Sequence, residues 1–171
     1  MHPDEIRALT MKHNFWTWST QHRPSVIDVE RAEGVYFWSP DGKRYLDFNS
    51  TVMCVNIGHG NQYVKDAMIA QIQELPFAGP HMVTKPRALI GQKLAEILPP
   101  GLDRFLYTLA GSDANENAIK IARDYTGKVK ILTRYRSYHG STMGSMALTG
   151  DRRRIHWEPA VMPGVVHFLD P

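Results

Sequence analysis

The amino-acid sequence predicts an α/β protein in which a parallel or mixed sheet is flanked by helices and preceded by a small β-hairpin. Three observations predict this fold class. Aromatic, strand-forming runs at residues 35–38 and 44–48 enclose the turn sequence Ser-Pro-Asp-Gly, a strong hairpin signal. Apolar residues then recur at helical spacing over residues 61–75 and 85–98. The last third alternates strand-like and helical patterns, as βαβ units with parallel strands do.

The remaining elements follow from the same periodicities. A short helix is expected first, at about residues 4–17, followed by a half-buried strand at 26–31, where apolar and charged residues alternate. Beyond the two central helices the pattern predicts, in order, a strand at 104–109, a helix at 113–125, a strand at 129–133, a helix at 141–148 and a strand at 165–168. The alternation stops directly after that last strand. We therefore expect the chain to be a fragment with an unpaired sheet edge and an uncovered apolar face.

Composition excludes several classes of protein. The chain has 171 residues, of which 43% are hydrophobic and 22% charged, which is typical of a globular domain and not of a disordered chain or a coiled coil. A net charge of +3 is too small to indicate a nucleic-acid partner.

The cysteine and histidine residues predict neither an internal disulfide nor a metal site. The one cysteine, Cys54, lies in an apolar stretch, is expected in the core and excludes an internal disulfide. His59 and His81 lack metal-ligand spacing, so no metal site is predicted. No membrane span or secretory signal is recognised, and a cytoplasmic location is expected.

The first candidate site is the run Gly-Ser-Asp-Ala-Asn-Glu at residues 111–116. It lies between the carboxyl end of a predicted strand and the amino end of a predicted helix, where open α/β sheets bind ligands. Free N–H groups and the helix dipole favour an anion such as phosphate there, with the Ser112 hydroxyl as a further donor. The alternative is ordinary helix capping, since Ser and Asp are common N-cap residues.

The second candidate site is Tyr138-His139-Gly140. It follows the next predicted strand and so emerges at the same sheet edge as Gly111. The Tyr138 ring could stack on a flat heteroaromatic ligand whose phosphate binds the first loop, with His139 positioning that ring. A packed tyrosine and a structural histidine would explain either loop alone. Two such loops in tandem favour a phosphorylated planar cofactor.

These runs resemble a known family. The segment at 111–116 with its following Ala118-Ile119-Lys120 is similar to the GS[ED]ANE segment of the class III (ω-) aminotransferases, and residues 138–142 with Leu148-Thr149-Gly150 resemble that family's second signature. The hairpin and the loop Val55-Asn56-Ile57-Gly58-His59 look like the family's early segments. The resemblance spans nearly the whole chain, in order. It implies the amino-terminal part of the pyridoxal 5′-phosphate (PLP)-dependent transferase, aspartate aminotransferase-like fold.

The resemblance also implies a division of the chain and a set of roles. Residues 1–58 would belong to the small domain and residues 59–171 to the first portion of the PLP-binding large domain. The active site would lie at the interface of a homodimer or higher homo-oligomer. The expected cofactor-binding residues are Gly111, Ser112, Asp113, Tyr138 and His139, and the expected substrate-pocket residues are Trp18, Met53, Phe77 and Ser141.

Ser141 is a departure that bears on substrate choice. Family members acting on 4-aminobutyrate or ornithine-type substrates have an arginine at this position, which can hold a distal carboxylate. A small residue there is similar to the pyruvate-dependent ω-aminotransferases, although many of those have tryptophan where this chain has Met53. The identity of the amine therefore stays open.

The resemblance also implies that two of the family's catalytic residues are not among these 171 residues. The family's Schiff-base lysine, and the aspartate that pairs with the pyridine nitrogen, would follow Pro171, so we assign no catalytic residue and expect this chain alone not to transaminate. The predicted parent protein moves an amino group from an amine or ω-amino acid to a keto acid, pyruvate being the expected acceptor. The alternatives are an aminomutase or decarboxylase on the same scaffold, a non-catalytic interaction module, or an unrelated phosphate-binding α/β domain.

Overall fold

The hairpin predicted near the amino terminus is the centre of the first of two structural units. A computed structural model describes residues 1–169, and its first unit spans Met1–Met82 while the second begins at Val83. Strands β1 (Arg31–Glu33), β2 (Tyr36–Trp38) and β3 (Arg44–Leu46) form an antiparallel sheet in the order β1-β2-β3. The predicted domain boundary at residues 58 and 59 concerns the whole protein and stays a prediction.

Helices complete the first unit. Helix α1 (Pro3–His13) begins with proline in its first turn, followed by two acidic residues, and ends with two basic ones, which suits the helix dipole at both ends. The segment α2 (Ser50–Met53) is a single turn with left-handed backbone angles. Helix α3 (Gln62–Glu74) is capped by Asn61, whose side-chain oxygen accepts the Val64 N–H at 3.2 Å.

The second unit contains the predicted parallel sheet. Its helices are α4 (Lys85–Ile97), α5 (Gly111–Thr126) and α6 (Met143–Leu148), and α5 ends at Gly127, which takes up the left-handed conformation with φ 65°. Strands β4 (Ile131–Arg134) and β5 (Val165–Phe168) pair in parallel, with Ile131 opposite Val165. The crossover between them holds α6 and the 3₁₀ turns Arg152–Arg154 and Glu158–Ala160.

Two predicted strands are wrong. The strand expected at 104–109 has no ladder partner among the described residues, and the βαβ unit that the structure does show, β4-α6-β5, lies one element further along the chain. Of the strand expected at 26–31, only Arg31 is in β1. The partner strand β2 stops at Trp38, before the turn at Ser39 and Pro40, so nothing remains for residues 26–29 to pair with. Residues 26–30 instead line, with α1, a cavity of about 460 Å³.

Little apolar surface is buried. The buried apolar side chains among the described residues are Ile119, Met146, Ala147 and Leu148, so the core lies where α6 meets α5. The accessible surface is 14080 Å², whereas a folded monomer of this mass exposes about 8,500 Å². The inward faces expected of α3 and α4 are uncovered, with Ile72 at 59% and Leu89 at 54% exposure. Cys54, expected in the core, is also exposed, because no element in the described part of the chain packs over its segment.

Among residues 1–169, no helix has the length and apolar character that crossing a bilayer requires.

Candidate functional site

The first turn of α5 is open to an anion. Its N-cap residue is Ala110, which makes no side-chain capping bond, and Ala114 donates the first backbone bond, to the Ala110 carbonyl at 3.0 Å. Within residues 1–169, the N–H groups of Gly111, Ser112 and Asp113 therefore have no acceptor. Ser112 and Asp113 lie in the first turn and are not N-caps, so simple capping does not account for them. Three such N–H groups at the positive end of a 16-residue helix favour a phosphate-like ligand.

The Asp113 carboxylate would repel an anion if it faced these N–H groups. Instead, both oxygens of the carboxylate accept hydrogen bonds from neighbouring protein groups. Its Oδ2 accepts the Leu109 N–H at 3.4 Å, and its Oδ1 accepts from the Asn117 amide at 3.0 Å. The backbone of Asp113 can thus serve as a donor while its charge is held by neighbouring protein groups.

The two candidate loops meet. The Ser141 N–H donates to the Ser112 hydroxyl oxygen at 3.3 Å. Gly140 is buried against the same side chain, and a Cβ at position 140 would overlap the Ser112 hydroxyl. Because Ser141 supplies the proton of that bond, the Ser112 hydroxyl proton can be donated to a ligand. Ser112, Gly140 and Ser141 therefore lie together as predicted, although the strand expected before the first loop has no ladder partner among the described residues.

Tyr138 is held beside a fixed positive charge. Tyr138 is 43% exposed, and the Arg153 guanidinium carbon lies 4.3 Å from the centroid of its ring. Asp151 in turn accepts from Arg153 Nε at 2.8 Å. This hydrogen bond lowers the pKa of Asp151 and raises that of Arg153. The ring is thus oriented from one side by an ion pair that stays charged at neutral pH.

His139 is fixed by three hydrogen bonds. Its carbonyl accepts from the Asn115 amide at 2.7 Å, and its N–H donates to Thr149 Oγ1 at 3.1 Å. Its ring Nε2 lies 3.3 Å from Thr133 Oγ1, whose own proton goes to the Leu148 carbonyl at 2.9 Å. Nε2 must therefore be the donor to Thr133, which defines the tautomer. His139 is anchored in the loop and orients the neighbouring Tyr138.

The four predicted pocket residues fall into two groups. Ser141 lies beside Ser112 in the second unit. Trp18, Met53 and Phe77 lie in the first unit, on separate segments, with exposures of 65%, 72% and 81%. Their assignment to a substrate pocket stays a prediction.

The backbone that carries Met53 is strained. Four consecutive residues, 50–53, have positive φ between 48° and 64°, and two of them, Thr51 and Val52, are β-branched. Such conformations are costly for non-glycine residues and persist only where the surroundings hold them.

Asp47 holds this turn. Its carboxylate accepts the Thr51 N–H at 2.9 Å, the Thr51 hydroxyl at 2.8 Å and His59 Nε2 at 2.7 Å. Its side chain is only 6% exposed. His59 is itself fixed to the hairpin by a backbone bridge with Gly34. Local sequence patterns do not reveal this pair, because twelve residues separate Asp47 from His59 and no spacing rule connects them.

Asp47→Asn is expected to loosen the turn, because an amide has one acceptor oxygen for donors that now use two. The bonds from Thr51, and that from His59, hold the pKa of Asp47 below its ordinary 3.8, so the wild-type carboxylate is ionised at neutral pH. Hydrogen exchange in the complete gene product should become faster at residues 50–54. Asp66→Asn, at an exposed position on α3, is the matched control and should leave that exchange unchanged; equal protection in both variants would contradict this role of Asp47.

Known proteins share this fold. The family model described as Aminotransferase class-III matches residues 17–171, so the chain belongs to the class-III aminotransferase family. The fold predicted from the resemblance is confirmed by solved transaminase structures that cover the chain. It superposes with a TM-score of 0.94 on an (S)-enantioselective ω-transaminase from Thermomicrobium roseum, at 32% identity, covering 100% of this chain and 41% of that one.

Two further relatives differ in substrates. A taurine:2-oxoglutarate aminotransferase from Bifidobacterium kashiwanohense, solved with PLP and glutamate, superposes with a TM-score of 0.92 at 37% identity, covering 100% of this chain and 39% of that one. A putrescine–pyruvate aminotransferase from Pseudomonas aeruginosa is 29% identical over 98% of this chain and 39% of its own length. The chain spans about two fifths of the length of the curated relatives it matches.

Proposed function

We propose that the second unit supplies a PLP-binding surface and that the complete protein is an aminotransferase. It would move an amino group from an amine or ω-amino acid to pyruvate, in two half-reactions. The observation that carries this proposal is the 3.3 Å bond between Ser141 N–H and Ser112 Oγ, since it joins the anion-binding turn to the loop of Tyr138. Family membership and the PLP complex of the Bifidobacterium enzyme support the cofactor.

The residues present fit PLP. The cofactor, when bound, supplies an aldehyde carbon for the amino group and a ring that withdraws electrons from the reacting carbon. The N–H groups of Gly111, Ser112 and Asp113 would hold the phosphate, and the Ser112 hydroxyl would donate a further bond. Tyr138 would stack on the ring, with His139 fixing the direction of its loop. Ser141 would border the substrate without offering a cation to a distal carboxylate.

The proposed assembly is a homodimer or higher homo-oligomer. It is supported by membership of the class-III family, and the uncovered apolar faces of α3 and α4 offer surface to a second copy or to the rest of the complete protein.

Ser112→Ala tests the cofactor site. It removes one hydroxyl donor to the phosphate, so we expect PLP affinity of the complete gene product to fall about tenfold. Affinity for pyridoxal, which lacks the phosphate, should fall less, because that ligand loses only the loop contact between Ser141 and Ser112 and no phosphate bond. Absorbance titration of protein freed of cofactor measures both constants. Ser25→Ala, in the first unit, is the control and should bind PLP as the wild type does. Equal losses for PLP and pyridoxal would contradict the phosphate role.

The acceptor is tested by product analysis. With a panel of amines, pyruvate as acceptor should yield alanine faster than 2-oxoglutarate yields glutamate. The taurine:2-oxoglutarate relative, 37% identical, favours 2-oxoglutarate as the second candidate, and faster glutamate formation would select it. A PLP-loaded complete protein that forms neither product with any amine would refute the proposed activity.

A further inference from the structure

Glu116 reaches from the second turn of α5 to the beginning of α6. Its Oε1 accepts the Gly144 N–H at 2.7 Å, the Thr142 hydroxyl at 2.5 Å and the Ser145 N–H at 3.2 Å. Gly144 is buried, and a Cβ there would overlap the Glu116 carboxylate. One carboxylate oxygen thus gathers three donors from a segment 26 to 29 residues away in the chain.

The preceding residue holds the other end of the same segment. The Asn115 amide donates to the His139 carbonyl at 2.7 Å. Between the two attachment points lies the contact of Ser141 with Ser112. The first two turns of α5 therefore hold the loop at three places, and that helix also begins with the proposed phosphate donors.

Capping of α6 does not by itself explain this arrangement. Glu116 accepts two N–H groups of the first turn of α6, but Thr142 and Ser145 already form a local capping box, with Thr142 N–H donating to Ser145 Oγ at 3.0 Å, and α6 has only six residues. A helix so short has a small dipole and little need of a charge from another element. What Glu116 does beyond capping is to hold α6 and the loop before it at a set distance from the amino end of α5.

We propose that Glu116 and Asn115 are positioning residues, which fix the Tyr138–Ser141 loop against the Gly111–Asp113 turn so that one ligand can engage both. The inference rests on the proposed function and extends it. Neither residue need touch PLP. Their effect is that the phosphate and the ring bind as one preorganised unit, so that the affinity for PLP exceeds what its two parts would achieve separately.

Ionisation of Glu116 gives an independent check. The Thr142 hydroxyl, then the Ser145 and Gly144 N–H groups, with Lys120 one turn along α5, hold the pKa of Glu116 below its ordinary 4.5. The stability this supplies is present above pH 4.5 and is lost as the pH falls through the lowered pKa. Glu116→Gln lacks this titration, so the difference in thermal midpoint between wild type and variant should shrink over that window.

The decisive experiment compares three ligands in the complete gene product. PLP, pyridoxal and inorganic phosphate are titrated against wild type, Glu116→Ala, Glu116→Gln and Asn115→Ala, and the visible circular dichroism of bound PLP is recorded. We expect PLP to bind about tenfold more weakly to Glu116→Ala and about threefold more weakly to the other two. Inorganic phosphate affinity should stay within twofold, and the dichroism should weaken. Glu96→Gln, at an exposed position on α4, is the matched control and should behave as wild type.

Each outcome bears on the proposal. Wild-type PLP affinity and dichroism in a folded Glu116→Ala protein would overturn it, as would equal losses for all three ligands. If Glu116→Ala does not fold, Glu116→Gln and Asn115→Ala decide by the same measures, and unchanged dichroism in both would overturn it. Failure of the wild type to bind PLP would instead refute the proposed function.

Discussion

Gly140→Ala is expected to separate the two loops and to lower both stability and PLP affinity. The added Cβ would lie 2.5 Å from Ser145 Oγ and 2.9 Å from Ser112 Cβ, and it would overlap the Ser112 hydroxyl. Gly140 also has φ +131°, which side chains rarely adopt. Overpacking and backbone strain together should lower the free energy of unfolding by roughly 2–4 kcal/mol.

Denaturant unfolding and PLP titration of the complete gene product measure this effect. Gly79→Ala is the matched control, because a Cβ there meets nothing within 4 Å and its φ lies outside the positive region. It should change the free energy of unfolding by less than about 0.5 kcal/mol. A Gly140→Ala protein that kept wild-type PLP affinity would show that the contact between Ser112 and Gly140 does not shape the site.

Gly150→Ala is expected to be at least as destabilising, by roughly 3 kcal/mol or more, through a different contact. A Cβ there would lie 2.7 Å from Tyr135 Cα and 2.9 Å from the Arg134 carbonyl carbon, and would overlap that carbonyl's oxygen. Gly150 donates to the Ser137 carbonyl at 2.9 Å and accepts from the Arg136 N–H at 3.0 Å. Because the added Cβ meets only backbone atoms, no side-chain rotation can relieve the overlap.

The same unfolding measurement checks Gly150→Ala against Gly79→Ala. Gly150→Ala should lower the free energy of unfolding without changing the affinity for one ligand more than for another. The reason is that Gly150 supports the segment after β4 and does not touch Ser112. A stable Gly150→Ala protein would mean that the Arg134–Ser137 segment can move away from Gly150, contrary to the two backbone bonds between them.

Local signals located most of the helices and the hairpin. The Asp-Gly turn, the proline and glycine breaks and the 3.6-residue periodicity act within a few residues, so α3, α4 and α5 end within two residues of their predicted bounds. The strands at 26–31 and 104–109 were mispredicted, because a strand exists only where another strand offers hydrogen bonds. Apolar alternation indicates a half-buried extended chain and carries no information about its partner.

The sequence predicts the two candidate loops but not the residues that hold them in place. Gly111, Ser112 and Tyr138 stand at strand and helix ends, where position along the chain is informative. Asn115 and Glu116 stand in the same motif, yet their partners at residues 139–145 are set by packing. Asp47 and His59 were missed for the same reason.

The sequence by itself determined the α/β class, the family and the two loops that a phosphorylated, planar cofactor would need, because motifs and periodicity are properties of neighbouring residues. Only the tertiary structure decided that Ser141 meets Ser112, that Glu116 clamps the loop to α5, and that Asp47 holds a left-handed turn. The contacts of Asp47 with His59, of Ser141 with Ser112 and of Glu116 with Ser145 join residues 12 to 29 positions apart. Their geometry depends on how strands pair and helices pack, which no local pattern specifies.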